Sequence, residues 1–405
     1  MKLNLLVVIL LIAGPVGADT LRVCNNGCDY SSVQSAIEYA NPGDTINVSE
    51  GIYKENIKTT KSLSIEGSGI DRTIIDGSYS GPVFTIGPGP SSMGALIVSL
   101  SGMTIEHGKA DFGGGISNQG SGWNEGDSVT TLIDCNVTHN VANEGGGGIW
   151  NGRGIIKLNG CTITNNMATH PGEQGGSGGG IYDDSLGTLY INANSFITNN
   201  TAVYSGGGIA CQGRVYLNGV IITGNRAAIG GGIYTNEVIN MTSGSISNNT
   251  ANVGGGVYND PSGGFATLSL NLTGGSIDHN YAETYGGGIY NSQGLVNLSG
   301  TSIDHNLARM FGGGGVYNNL GWVNLNGSSI SNNYAGSYGG GIYDNVDTGS
   351  GLYSTVDLYS GSIDHNTAKA KLSGGGIYNV YGAVITGNRS LVHENNPDQI
   401  RTVGS

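Results

Sequence analysis

A chain of 405 residues has room for two or three ordinary domains, but a strong internal repeat overrides that division, because repeated units bury their apolar faces only against one another. Only 11% of the residues are charged while 75 are glycine, so solubility must come from Asn, Ser, Thr and Asp rather than from ion pairs. The formal charge of −13 opposes phosphate backbones and anionic lipid, which argues against nucleic acid as a partner.

Residues 1–18 read as a secretory signal: Lys2, an apolar run from Leu5 to Ala13, and small residues Val16-Gly17-Ala18 ahead of Asp19. That run is short for a bilayer span, and no second hydrophobic segment follows it. Residues 19–101 form a cap and the first coils. Cys24 and Cys28 close a five-residue loop suited to a small disulfide in an exported protein. Ser31 precedes Val33, Ala36, Ile37 and Ala40, a helical stripe, with Gln34 placed as a capping-box partner. Short β-type runs follow at Thr45–Val48, Leu63–Ile65, Thr73–Ile75, Val83–Ile86 and Leu96–Val98. A helix ahead of a strand array is expected to cover the open edge of the first coil.

Residues 102–405 carry the repeat. The phrase Gly286-Gly287-Gly288-Ile289-Tyr290-Asn291 has near copies between Gly113 and Asn379, and most are preceded by a phrase like Ser276-Ile277-Asp278-His279-Asn280-Tyr281-Ala282. In the unit that starts at Gly286, Ile289, Val296, Leu298 and Ile303 are the inward residues of three successive strands. A stack of such units is an all-β, parallel β-helix of about fourteen coils, roughly 65 Å long at ~4.8 Å per coil. The glycines suit a tight corner where a β-carbon would meet the next coil. A second corner is marked by Asn140, Asn166, Asn200, Asn225, Asn249, Asn280, Asn306, Asn333, Asn366 and Asn388, whose stacked amides are placed to hydrogen-bond along the axis. Ala282, Ala308 and Ala335, two residues later, are expected to point inward. Cys135 and Cys161 hold the same place in successive repeats, so they are either a second disulfide or, with Cys211, small buried fillers.

Repeat length varies mainly at one corner. The extensions Ser117–Leu132, Asp260–Thr267 and Asp344–Thr355 leave from it and should project along one edge, where inserted loops commonly carry function. They hold Trp123, Asp127, Asp260, Phe265, Asp347 and Tyr353.

The pairing of Gly-Gly-Gly-Ile-Tyr-Asn with Ile-x-x-Asn, over about Gly102 to Asn388, resembles the repeats of chlamydial polymorphic outer membrane proteins and of adhesin-like β-helix proteins of methanogenic archaea. Ile or Val mostly stands where the chlamydial repeat prefers Phe. The segment Asp29 to Ile37, with Pro42-Gly43-Asp44-Thr45-Ile46, Gly51 to Ile57 and Ile74-Ile75-Asp76-Gly77, looks like the first coils of pectin-lyase-like proteins. The resemblance implies a right-handed β-helix and, for the adhesin-like groups, a surface location and attachment role.

Enzymes on such a fold typically cut or de-esterify acidic polysaccharide with carboxylates. Asp183 and Asp184 are the candidate catalytic pair, and a turn-forming Asp pair is the competing account. The Gly-His-Gly and Arg-Ile-Lys segments of polygalacturonases are missing. His279, His305 and His365 each follow an Asp at one corner, where solvated corner residues are the competing account to a metal stack. Acidic loops such as Asp344–Asp357 offer oxygens of the kind Ca²⁺ takes, without the nonapeptide that would make this specific. No other cofactor is indicated. The strongest binding candidates are the aromatic residues that follow each inward Ile or Val: Trp150, Tyr182, Tyr234, Tyr258, Tyr290, Tyr317, Tyr343 and Tyr378. Alternation puts them outside, in a stripe that can bind sugar rings or a partner surface. The sequence therefore favours a non-catalytic, secreted or cell-surface protein that binds glycan or a partner protein, over a polysaccharide lyase or hydrolase and over a structural envelope component.

Overall fold

A computed structural model describes residues 18–87, 96–120, 128–171, 175–261, 269–346, 354–380 and 382–403. Every strand pairing among them is parallel, and 36 strands join one continuous sheet wound into a parallel β-helix. In the unit that starts at Gly286 the strands are Ile289–Ser292, Leu295–Ser299 and Ser302–Asp304, each with buried and outward residues alternating. They pair in register with the next coil, Ile289 with Val316, Val296 with Val323 and Ile303 with Ile330. The inward aliphatic side chains thus form one core column along the axis. Each contributes on the order of 1.5–3 kcal/mol through burial. A short fourth ladder runs along the amide corner, where Ala282, Ala308 and Ala335 are fully buried as the spacing predicts.

The glycine corner separates two demands. Gly286 has φ +65°, which β-branched or bulky residues rarely adopt. Gly287 and Gly288 are constrained by space instead: a Cβ on either would lie 2.5 or 2.6 Å from the carbonyl oxygen of Gly314 or Gly315 in the next coil.

The opposite corner is an unbroken amide ladder. From Asn140 to Asn366, each Asn gives its Nδ2 to the Oδ1 of the Asn one coil on, at 2.9 to 3.1 Å. The same Nδ2 also donates to a strand carbonyl, as Asn306 does to Ile277. Every polar atom of these buried amides is thereby used. The last member is Asn395, not Asn388. Val392 pairs with Ile363, which carries the corner to Asn395, and Gln399 Oε1 closes the ladder on Asn395 Nδ2 at 3.1 Å. Asn388 instead caps a short 3₁₀ turn, Arg389–Leu391.

The helix forms at Val33–Tyr39 and covers the first strands, Thr20–Val23, Thr45–Val48 and Ile57–Thr59. Its N-cap is Ser32 rather than Ser31, and Gln34 makes no capping box. The Glu55 carboxylate takes the Val33 and Gln34 amides, each at 2.9 Å, so the helix start is held from the neighbouring turn. Lys61 Nζ closes the other end, donating to the carbonyls of Ile37, Glu38 and Ala40 at 2.7 to 2.8 Å.

Cys24 and Cys28 form the expected disulfide, with Cα atoms 5.5 Å apart. Cys135, Cys161 and Cys211 are free and buried, so the second bridge does not form. Cys135 and Cys161 are neighbours in successive coils, where each thiol donates to a carbonyl of its own coil, Ile133 or Asn159, while Cys211 lies on a different strand, in register with Asp183.

Candidate functional site

The tyrosines that follow the inward Ile or Val stack as one column. Ring centroids lie 5.7 Å apart from Tyr234 to Tyr258, 4.7 Å to Tyr290, 5.1 Å to Tyr317, 4.8 Å to Tyr343 and 5.2 Å to Tyr378. The register that stacks the Ile also stacks the rings, at the spacing of adjacent strands. Trp150 and Tyr182 belong to a separate group around Phe112, cut off where Ala210 takes the tyrosine's place.

The column is not the open stripe the alternation implies. Its members are half-buried and Tyr317 is only 8% exposed. Burial pushes the phenols of Tyr182, Tyr234, Tyr290 and Tyr343 up to about 12 and also raises Tyr258, Tyr317 and Tyr378. The cover comes from residues just before the glycine corner: Tyr285 lies 4.7 Å from Tyr317, and Tyr338 lies 4.6 Å from Tyr378.

This second tier is the part offered to solvent. Phe311 stacks on Tyr285 at 4.9 Å and is 43% exposed, Tyr338 is 38% exposed, and Met310 and Leu372 are exposed beside them. Charges rim the ridge. Arg309 pairs with Glu283, and Lys369 and Lys371 lie on its far side, exposed. The sequence signal for the second tier is an aromatic one or two places ahead of the first corner glycine, as in Tyr204, Tyr285, Phe311 and Tyr338. It is weaker than the Tyr signal because several coils carry Ile, Val or Gly there.

Asp183 and Asp184 do not act as a pair. They alternate across a strand, which sends Asp183 into the core with no exposure and Asp184 outward, where its Oδ1 accepts from the Ser185 amide at 2.7 Å. Asp183 belongs to a second buried polar ladder, formed by the residue two places after the inward Ile or Val of each glycine strand. Asn118 donates to Asn151 at 2.7 Å and Asn151 to Asp183 at 2.6 Å, while Cys211 and Thr235 occupy the next two places. The ladder resumes as Asn259, Asn291, Asn318 and Asp344, linked at 2.7 to 2.8 Å. Burial raises the Asp183 carboxyl well above the carboxylate range and Asp344 to about 7. Beside Asp183 lies a cavity of about 110 Å³ lined by Ser185, Leu186, Gly187, Gly213, Arg214 and Glu237.

Asp344, at the start of the acidic extension, is therefore a core residue rather than a loop residue. Asp260 is half-buried, and burial raises its carboxyl. Trp123, Asp127, Phe265, Asp347 and Tyr353 lie outside the described residues. The corner histidines are exposed. His279 and His305 stack at 5.0 Å, each beside its own Asp, at 3.1 and 2.6 Å. His365 stands two coils from His305, beyond Asn332, and is raised by its hydrogen bond to Asp364. Among the described residues no group of three or more His, Cys, Asp or Glu is arranged to hold a metal ion, and no helix is long and apolar enough to cross a membrane. Comparison with protein-family models and with curated proteins found no match to this chain.

Proposed function

We propose that this chain is an exported, non-catalytic β-helix protein, secreted or held at the cell surface in the manner of adhesin-like proteins, that binds an extended glycan along the ridge of Tyr285, Met310, Phe311, Tyr338 and Leu372. The observation that carries the reading is an exposed aromatic tier seated on a rigid ring column. Aromatic faces pack against the apolar faces of sugar rings, and a surface of this kind in an otherwise polar protein marks an interaction site. The exposed tier steps with the coils, Phe311 stacking on Tyr285 at 4.9 Å. An extended, equatorially linked hexose chain advances by a similar step per sugar, so a strand of glycan lying along the axis meets the same chemistry at successive coils. Lys369 and Lys371 favour a chain with acidic units. The Cys24–Cys28 disulfide supports an oxidising destination.

The test is a binding screen of the full chain against neutral and acidic polysaccharides, comparing wild type with Phe311→Ser/Tyr338→Ser. The reading expects binding by wild type and a loss of about tenfold or more in the variant, from two ring contacts of about 0.5–1.5 kcal/mol each. Equal binding by both proteins discards the ridge. Capture of a surface protein but of no polysaccharide moves the same ridge to a protein partner.

A further inference from the structure

The second buried ladder contains a fault with a chemical remedy. In each of its linked coils the Asn Nδ2 donates to the Oδ1 one coil on, and Asn318 does so to Asp344 Oδ1 at 2.8 Å. Asp344 Oδ2 therefore stands where an Asn would carry its Nδ2. The next residue in register is Asn379, whose Nδ2 is spent on the Ala383 carbonyl at 3.1 Å. Asp344 Oδ2 and Asn379 Oδ1 are both buried and both without a partner, two acceptors in successive places of one ladder. Two such oxygens are costly to bury, and one proton between them satisfies both.

We propose that Asp344 is held as the neutral acid, its Oδ2–H donating to Asn379 Oδ1, and that this proton fastens the C-terminal coil, so that the coil loosens when the proton leaves. No covalent chemistry is involved. The acid gives its proton to solvent and takes it back. Asp344 has no exposure and Asn379 only 4%. Three side chains face the carboxyl: Asn318 from the coil before, Asn379 from the coil after, and Ser354 from its own coil, which donates to Oδ1. None of these titrates, and among the described residues no charged neighbour contributes to the raised acidity constant, which burial alone drives upward. Tyr317, Tyr343 and Tyr378, from the same strands, alternate to the outer face.

The sign follows from linkage. A carboxyl whose folded value lies above its unfolded one binds more protons when folded, so stability is fully present below about pH 4 and lost as pH rises to about 7. His365, raised first by its hydrogen bond to Asp364 and paired also with Glu394, loses charge as pH rises too. Comparison with Asp344→Asn at matched pH cancels that contribution. The variant supplies a permanent Nδ2 donor, the group found in the rest of this ladder segment.

The experiment is hydrogen exchange on the full chain, wild type and Asp344→Asn, from pH 4 to pH 8, read on peptides covering Ile377–Asn379 and Val384–Gly387. The proposal expects the two proteins to match near pH 4. The wild type should then open progressively more, by up to about tenfold per pH unit, until the difference levels off near pH 7. A wild-type to variant ratio independent of pH overturns it. So does restoration of wild-type protection at pH 8 by Ca²⁺, which would place a cation between the oxygens. Should Asp344→Asn fold poorly, infrared spectra of Asp183→Asn/Asp260→Asn, which removes the other acids whose carboxyls burial raises among the described residues, decide alone. A protonated-carboxyl band persisting at pH 6 supports the proposal, and its absence overturns it.

Discussion

The two faces of the glycine and amide corners share one period and differ in what they leave over. At the amide corner, Asn140 through Asn395 spend their donors and acceptors on one another, on strand carbonyls and on Gln399, so the ladder is closed and has nothing to offer a ligand. At the aromatic face, stacking of Tyr234 through Tyr378 uses the ring faces along the axis, but a second tier, Phe311 and Tyr338, still meets water. Identical repetition serves the scaffold in both places. Surface chemistry begins where a repeated element carries something extra on top of it.

Breaking the closed side should cost most. Asn306→Ala removes the acceptor of Asn280, the donor of Asn333 Oδ1 and the donor to the Ile277 carbonyl, leaving several buried groups unpaired. A loss of at least about 3 kcal/mol in chemical denaturation is expected, with no selective effect on ligand affinity. Tyr317→Ser should cost about 2–3 kcal/mol, since that ring is almost covered and stacked on both sides. Gly300→Ala separates conformation from crowding. Its Cβ would meet nothing within 4 Å but its φ is +62°, so a cost near 1 kcal/mol is expected, whereas Gly287→Ala, crowded by Gly314, should cost about 2 kcal/mol. Phe311→Ser, at the open edge, should change the unfolding midpoint least, by under about 1 kcal/mol.

Much of the coil was legible in the sequence because each of its demands selects one residue type. A corner with no room for a β-carbon selects Gly287 and Gly288, a ladder needing donor and acceptor in one planar group selects Asn, and the core selects Ile289 and its counterparts. The last corner was misplaced because Val384 to Asn388 imitates the Ile-x-x-Asn pattern, and only the pairing of Val392 with Ile363 distinguishes the two. The site was less legible. Alternation tells which way Tyr317 points but not what lies over it, and its cover, Tyr285, comes from the corner that begins the preceding coil. Likewise Asp183 reads as a surface acid beside Asp184 until the register places it among amides. The change from Asn to Asp is a single atom in the ladder, and the partner it lacks is one coil away.

The most direct measurement of the central claim is the affinity of the full chain for the polysaccharide it binds best, determined for wild type, Phe311→Ser/Tyr338→Ser and Asn306→Ala below their unfolding transitions. The account predicts about tenfold or greater weakening in the ridge variant with its unfolding midpoint nearly kept, and unchanged affinity in Asn306→Ala despite its large loss of stability. Full affinity in the ridge variant, or affinity that simply follows stability across all three, would contradict it.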